Sequence, residues 1–330
     1  MPAYTRRSEL EGTGMIDGKI VPLSQRYDPR LIEETVFLAL RGDPKAERFH
    51  NERNHLYDII DMDERERAFK EIHRSWFLRL GLANQIEKAG QEFPLLASSV
   101  ASCVVACALR KRDEGAELFI DPEERLGERE RRTVRILLKP ESFLDPVALL
   151  AFLRRELLHI TDMLDPRFAY EPVLPVAEGG PAHDRLLQDR YRNLWDTTIG
   201  GRMVRRGWAP PSLRDDCLRE FIRTFPMLGD EVARIFSSFF DEERHTHKEL
   251  VIFADDPGAT LQGSAIHPGS RCPLCRFPTY VFEPKPERLS TEVISRIRQD
   301  FPQWCSAQGL CRQCADLYRS GNFQNIQPPC

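Results

Sequence analysis

Apolar positions recur at helical spacing over much of the chain. In "DPRLIEETVFLALRG" (28–42) Asp28 is placed to cap, Pro29 to open and Gly42 to stop a helix. A second stripe runs through Ala68, Ile72, Trp76, Leu80 and Ala83, and predicts one long helix over 64–88. The run from Leu95 to Leu109 is largely apolar, with three serines, and reads as a buried core helix with Cys103 and Cys107 on one face, as small buried side chains. Two strands are expected next, 116–121 and 132–140, joined by a charged hairpin connection. Helices are then expected at 146–164, stopped by Asp165-Pro166, and at 182–198 with Leu187, Tyr191, Leu194 and Trp195 inward. More follow at 213–225 and 230–240. A last one opens at Thr246, where Glu249 completes a capping box. Residues 1–27 show little periodicity and read as an irregular lead-in, and no internal repeat is visible.

This pattern predicts an α+β, mainly helical protein. The expected parts are the lead-in 1–27, a helical region 28–115, a central domain 116–256, a linker 257–270 and a small C-terminal module 271–330.

Composition narrows the function classes. The chain is 41% hydrophobic and 30% charged, with a net charge of -4, so nothing demands a nucleic-acid or membrane partner. The longest apolar run falls short of the roughly 20 residues that span a bilayer. No signal-type apolar stretch is seen near the start, and the expected compartment is the cytoplasm. Nucleotide-binding glycine motifs and the G-x-S-x-G elbow are absent. Short basic clusters at 110–112 and 202–206, with Trp208 or Phe277 as stacking partners, are candidates for phosphate or nucleic-acid contact, but read first as solvated faces.

Nine cysteines, an odd number, fit reduced thiols better than a disulfide framework. Four of them form two C-x-x-C pairs, Cys272/Cys275 and Cys311/Cys314. Each pair turns two sulfurs toward one ion, and two pairs complete a tetrahedral thiolate shell suited to Zn²⁺. Residues 276–310 between the pairs hold a strand-like "PTYVF" and a helix-like "TEVISRIRQDF". The arrangement resembles a treble clef or an elaborated zinc ribbon, which implies a structural zinc. Cys305 reads as a bystander and Cys330 as a free thiol.

The stretch 149–166 carries Arg155-Glu156-Leu157-Leu158-His159 on a helix that follows a strand. It resembles the H-E-x-x-H helix of zincin metallopeptidases with arginine in place of the first histidine. The resemblance implies a zincin-like central domain, with Glu156 as general base and His159 as a ligand if a metal is held. Asp162, Asp184 and Asp196 are the candidate further ligands; His183, His245 and His247 are other donors. Arg155 cannot ligate zinc, because it stays protonated. Its guanidinium could stand where the metal's charge would be and neutralise Glu156. The expected function is therefore a zinc-binding protein with a catalytically degenerate domain that binds or regulates. The alternatives are a non-enzymatic adaptor whose module engages protein or nucleic acid, and an active hydrolase using Glu156 and His159. A di-iron bundle built on Glu52–His55 and Glu242–His245 is a further, weaker geometry.

Overall fold

The computed structural model describes residues 10–16, 19–123, 125–176, 181–260, 271–277 and 279–321. Residues 1–9 of the lead-in, residues 261–270 of the linker and Cys330 lie outside the described residues. The protein is α+β and mainly helical, as the apolar spacing predicts. Contacts divide it into two units, Met1–Tyr170 with Arg206–Ala209, and Glu171–Arg205 with Pro210–Cys330. The division passes through the stretch 116–256 that sequence reading treats as one domain.

The first unit opens with two antiparallel strands, β1 (Leu10–Ile16) and β2 (Lys19–Tyr27), where an irregular segment is expected from sequence. Five helices follow: α1 (Pro29–Ala39), α2 (Ala46–Asn54), α3 (Met62–Arg79), α4 (Asn84–Gln91) and α5 (Pro94–Ser99). The Asp28 carboxylate accepts the Arg30 N–H, and Gly42 has φ +81°, so α1 starts and stops as its residues dictate. The long helix expected over 64–88 is broken. Gly81 takes φ +70° between α3 and α4, a conformation that costs glycine little.

The apolar run 95–109 is not one helix. It splits into α5 and the strand β3 (Ser102–Cys107). The reason is the sheet: β3 lies between β2 and β5 and pairs parallel with both, so its residues are apolar without a helical period. The strands β4 (Gly115–Ile120) and β5 (Arg132–Leu138) form the expected antiparallel pair, giving the order β1-β2-β3-β5-β4. Helix α6 (Pro146–Leu164) then matches its sequence bounds, capped by Asp145. Ile86 of α4, Leu96 of α5 and Leu157 of α6 close over Cys103, Val134 and Ile136 of the sheet. Cys103 is a core residue at 4% exposure, its thiol pushed up to about 12 by burial. Cys107 is only half-buried.

The second unit is built on α7 (Pro181–Arg205), which extends past its predicted end. Leu187, Tyr191, Leu194 and Trp195 are all buried, as predicted. Against α7 lie α8 (Leu213–Thr224), α9 (Val232–Asp241) and α10 (His247–Asp255). Phe221, Phe225, Phe236, Phe239 and Phe253 interlock with ring centroids 4.6–6.4 Å apart. Gly201 lets α7 approach α9 closely: a Cβ there would stand 1.9 Å from the Phe240 carbonyl oxygen. The same carbonyl accepts a hydrogen bond from Arg205. After the linker come α11 (Thr291–Asp300) and α12 (Arg312–Ser320). Among the described residues, no helix is long and apolar enough to cross a membrane.

Candidate metal centre

Local backbone geometry builds the cysteine cluster. Around the first pair the chain folds back on itself: the Arg276 N–H donates to the Cys272 carbonyl (2.8 Å) and the Cys272 N–H to the Phe277 carbonyl (3.0 Å). Closing this knuckle puts Arg276 at φ +62°, a left-handed conformation rare for a side chain of its size. The second pair opens α12. Cys311 is the N-cap, its sulfur accepting the Cys314 N–H at 3.3 Å, so Cys314 sits in the first turn. A single antiparallel bridge, Phe282 with Cys311, joins the two halves, with Glu283 N–H donating to Leu310 O (2.9 Å) and Arg312 N–H to Val281 O (3.0 Å). Of the strand expected at 278–282 only this bridge forms among the described residues; both expected helices are present.

The four sulfurs converge within 4.8 Å of one another. Cys272 Sγ lies 3.8 Å from Cys314 Sγ, and Cys275 Sγ 3.9 Å from Cys311 Sγ. Four sulfurs held at about 2.3 Å around one zinc at tetrahedral angles are about 3.8 Å apart, so the cluster fits the ion. Around it pack Leu274, Leu289, Val293, Ile297, Trp304 and Tyr318, with the Trp304 indole donating to Gly309 O at 2.8 Å.

The electrostatics point the same way. The Cys272 thiol is drawn down to about 4, first by the hydrogen bond from the Cys314 thiol, then by the N–H groups of Cys311, Cys275 and Leu274. Cys311 is pushed up to about 11 by burial and by the neighbouring thiolates, and Cys314 is raised because Cys272 holds its proton. A divalent cation among the four sulfurs would favour their thiolate forms and release their protons.

The other sequence candidates stand apart from this cluster. Among the described residues, the four cysteines are the one group of three or more His, Cys, Asp or Glu donors within such reach. Glu156, His159 and Asp162 lie along α6 in the first unit, and Asp184 and Asp196 along α7 in the second. Glu156 Oε2 accepts the Ala116 N–H of β4 at 3.2 Å, tying α6 to an edge strand. Arg155 is exposed, His159 half-buried and Asp162 buried. The neighbouring Arg154 grips Glu92 through two bonds, 2.7 and 2.5 Å, with its guanidinium 4.8 Å from the Trp208 ring.

The E-x-x-H and H-x-H alternatives have local explanations. The Glu52 carboxylate is taken up by Arg48, the Trp76 indole and Arg79. His245 bonds Ser238 O at 3.0 Å and His247 the Tyr191 hydroxyl at 2.7 Å, beside the predicted Thr246/Glu249 capping box. Cys305 is exposed and outside the cluster.

Sequence reading passed over one surface. Thr279, Val281, Arg312, Gln313, Asp316, Leu317 and Ser320 line an open groove of about 670 Å³ beside the cysteines. Its only trace in the sequence is a set of exposed polar residues on the outer side of α12, which no motif marks. Set against protein-family models, curated proteins and solved structures, the chain matches none, so any likeness to zincins or to zinc ribbons stands on its own motifs.

Proposed function

We propose that Cys272, Cys275, Cys311 and Cys314 hold one structural Zn²⁺ and that the chain is a non-enzymatic binding protein that presents this module to a partner. The observation that carries the reading is the pair of sulfur separations, 3.8 and 3.9 Å, which match the edge of a zinc–thiolate tetrahedron. All four positions around the ion are taken by cysteine, so no site is left for a water or substrate, and the zinc supplies folding free energy rather than chemistry. The described cysteines are all free thiols, which supports a reducing compartment, the cytoplasm. A treble-clef-like path, with one knuckle in a turn and the other at a helix start, supports the same structural role.

The zincin-like helix enters this reading as degenerate. Arginine stands at 155, and the Glu156 bond to Ala116 supports a carboxylate that holds α6 to the sheet rather than a general base. Elemental analysis of purified protein is the test. One zinc per chain, lost in a Cys272→Ser/Cys311→Ser variant, is expected. Metal that survives in that variant, or iron in place of zinc in the wild type, would refute the assignment, since thiolate sites also suit iron.

A further inference from the structure

Two arginines directly follow ligand cysteines: Arg276 after Cys275 in the knuckle, and Arg312 after Cys311 at the start of α12. Cys275 and Cys311, one residue before each, bring their sulfurs to 3.9 Å. Among the described residues neither guanidinium has an ion-pair or hydrogen-bond partner. Close by in the chain are two exposed aromatic residues. Phe277 is 69% and Tyr280 68% exposed, and neither makes a ring contact among the described residues. The backbone bond from Arg312 N–H to Val281 O fixes the Tyr280 segment against the start of α12, where the open groove begins.

Charge separates this module from the rest of the chain. Residues 271–321 carry eight basic and five acidic side chains, a positive surplus in a protein whose net charge is -4. The two negative charges of a zinc–tetrathiolate core would be largely covered, with Cys272 at 0% and Cys311 at 4% exposure and Cys275 half-buried.

We propose that this face binds single-stranded nucleic acid, with bases stacked on Phe277 and Tyr280 and phosphates held by Arg276 and Arg312. Exposed flat rings accept any base, and the Arg312 guanidinium on the groove, with Arg276 on the adjoining knuckle, suits a flexible phosphate backbone. A duplex keeps its bases stacked on one another and offers the rings nothing. The inference rests on the zinc reading, because the metal would hold the knuckle that carries Arg276 to the helix start that carries Arg312.

The test is fluorescence anisotropy on the zinc-loaded full chain, with labelled oligothymidylate and oligouridylate of about twelve nucleotides, within the site size of small single-strand binders. The matching duplex is the competitor, and zinc is counted on the same samples. The expected result is single-strand binding that the duplex competes poorly. Phe277→Ala with Tyr280→Ala should weaken it about tenfold or more. Arg276→Gly suits the left-handed backbone, so its effect is not one of misfolding. Paired with Arg312→Gln it should flatten the slope of log affinity against log salt by about 1.4, two phosphate contacts at about 0.7 each. A zinc-loaded protein that ignores both single strands overturns this proposal alone, and is the outcome if the face docks a protein instead. Binding unchanged in both variant pairs overturns it too. A sample without zinc overturns the metal reading and this one with it.

Discussion

Withdrawing the metal should unfold the C-terminal module and leave the rest of the chain standing. The module is about fifty residues, below the size at which a hydrophobic core alone is secure. Its core amounts to a handful of large side chains: Leu274, Leu289, Val293, Ile297, Trp304, Leu310 and Tyr318. A structural zinc contributes about 10–16 kcal/mol at neutral pH. That equals or exceeds the whole net stability of an ordinary domain, about 5–15 kcal/mol. Losing the ion therefore leaves too little to hold α11 and α12, whose N-caps are Ser290 and the ligand Cys311. Amide hydrogen exchange before and after a strong chelator gives the readout. Exchange in α11 and α12 should rise to near the unfolded rate, while α3 and α6, which contain no ligand, keep their protection. Trp304 fluorescence should shift red as its bond to Gly309 O is lost. Unchanged protection in α11 and α12 after the zinc has been removed would refute the reasoning.

Three further outcomes are expected. Gly201→Ala gains about 1 kcal/mol of helix propensity but drives a methyl into the Phe240 carbonyl, so a net loss of about 2 kcal/mol or more is expected in urea unfolding followed through α7–α9 exchange; a gain would show that the helices are not in such close approach. Glu156→Ala should cost about 1–2 kcal/mol by stranding the Ala116 N–H, with Glu156→Gln close to neutral, whereas equal losses in both would locate the effect elsewhere. His73 is buried among Phe37, Phe49 and Phe69, and its Nε2 has no partner. Burial holds its pKa below 6.5, with Glu33 pulling up and Arg53 pushing down. The unfolded chain then takes up a proton that the folded state refuses, so this contribution is complete above about pH 6.5 and shrinks as pH falls below it. Thermal melts from pH 7.5 to 5 should show that decline, and His73→Phe should flatten it; an identical slope in the variant would exclude His73 as the source.

Much of this fold is legible where local chemistry decides. Asp28-Pro29, Asp145-Pro146 and Thr246/Glu249 announce their helices because a cap is satisfied by its own neighbours. The cysteine pairs announce their cluster because zinc fixes both residue type and spacing. What escapes is set by distant pairing. Ser102–Cys107 is apolar on both sides because it lies inside a sheet, and by composition alone it cannot be told from a buried helix. The break at Gly81 sits inside an unbroken apolar stripe. The hairpin strands Leu10–Ile16 and Lys19–Tyr27 alternate poorly, and the one signal between them is the dipeptide Asp17-Gly18, a common two-residue turn sequence. The groove beside the cysteines is invisible because exposed polar residues have no pattern to break.

The central strand pairing also sets a timetable. Ser24 of β2 waits for Ser102 of β3, and Ser102 waits for Thr133 of β5. On a ribosome making about 5–20 residues per second, β2 would present an unpaired edge for several seconds before its neighbour emerged. During that interval the nascent chain offers a ready template for another copy's strand. The protein's solubility during synthesis is thus a question of order of arrival, and slowing elongation between Tyr27 and Ser102 should raise its demand for chaperones.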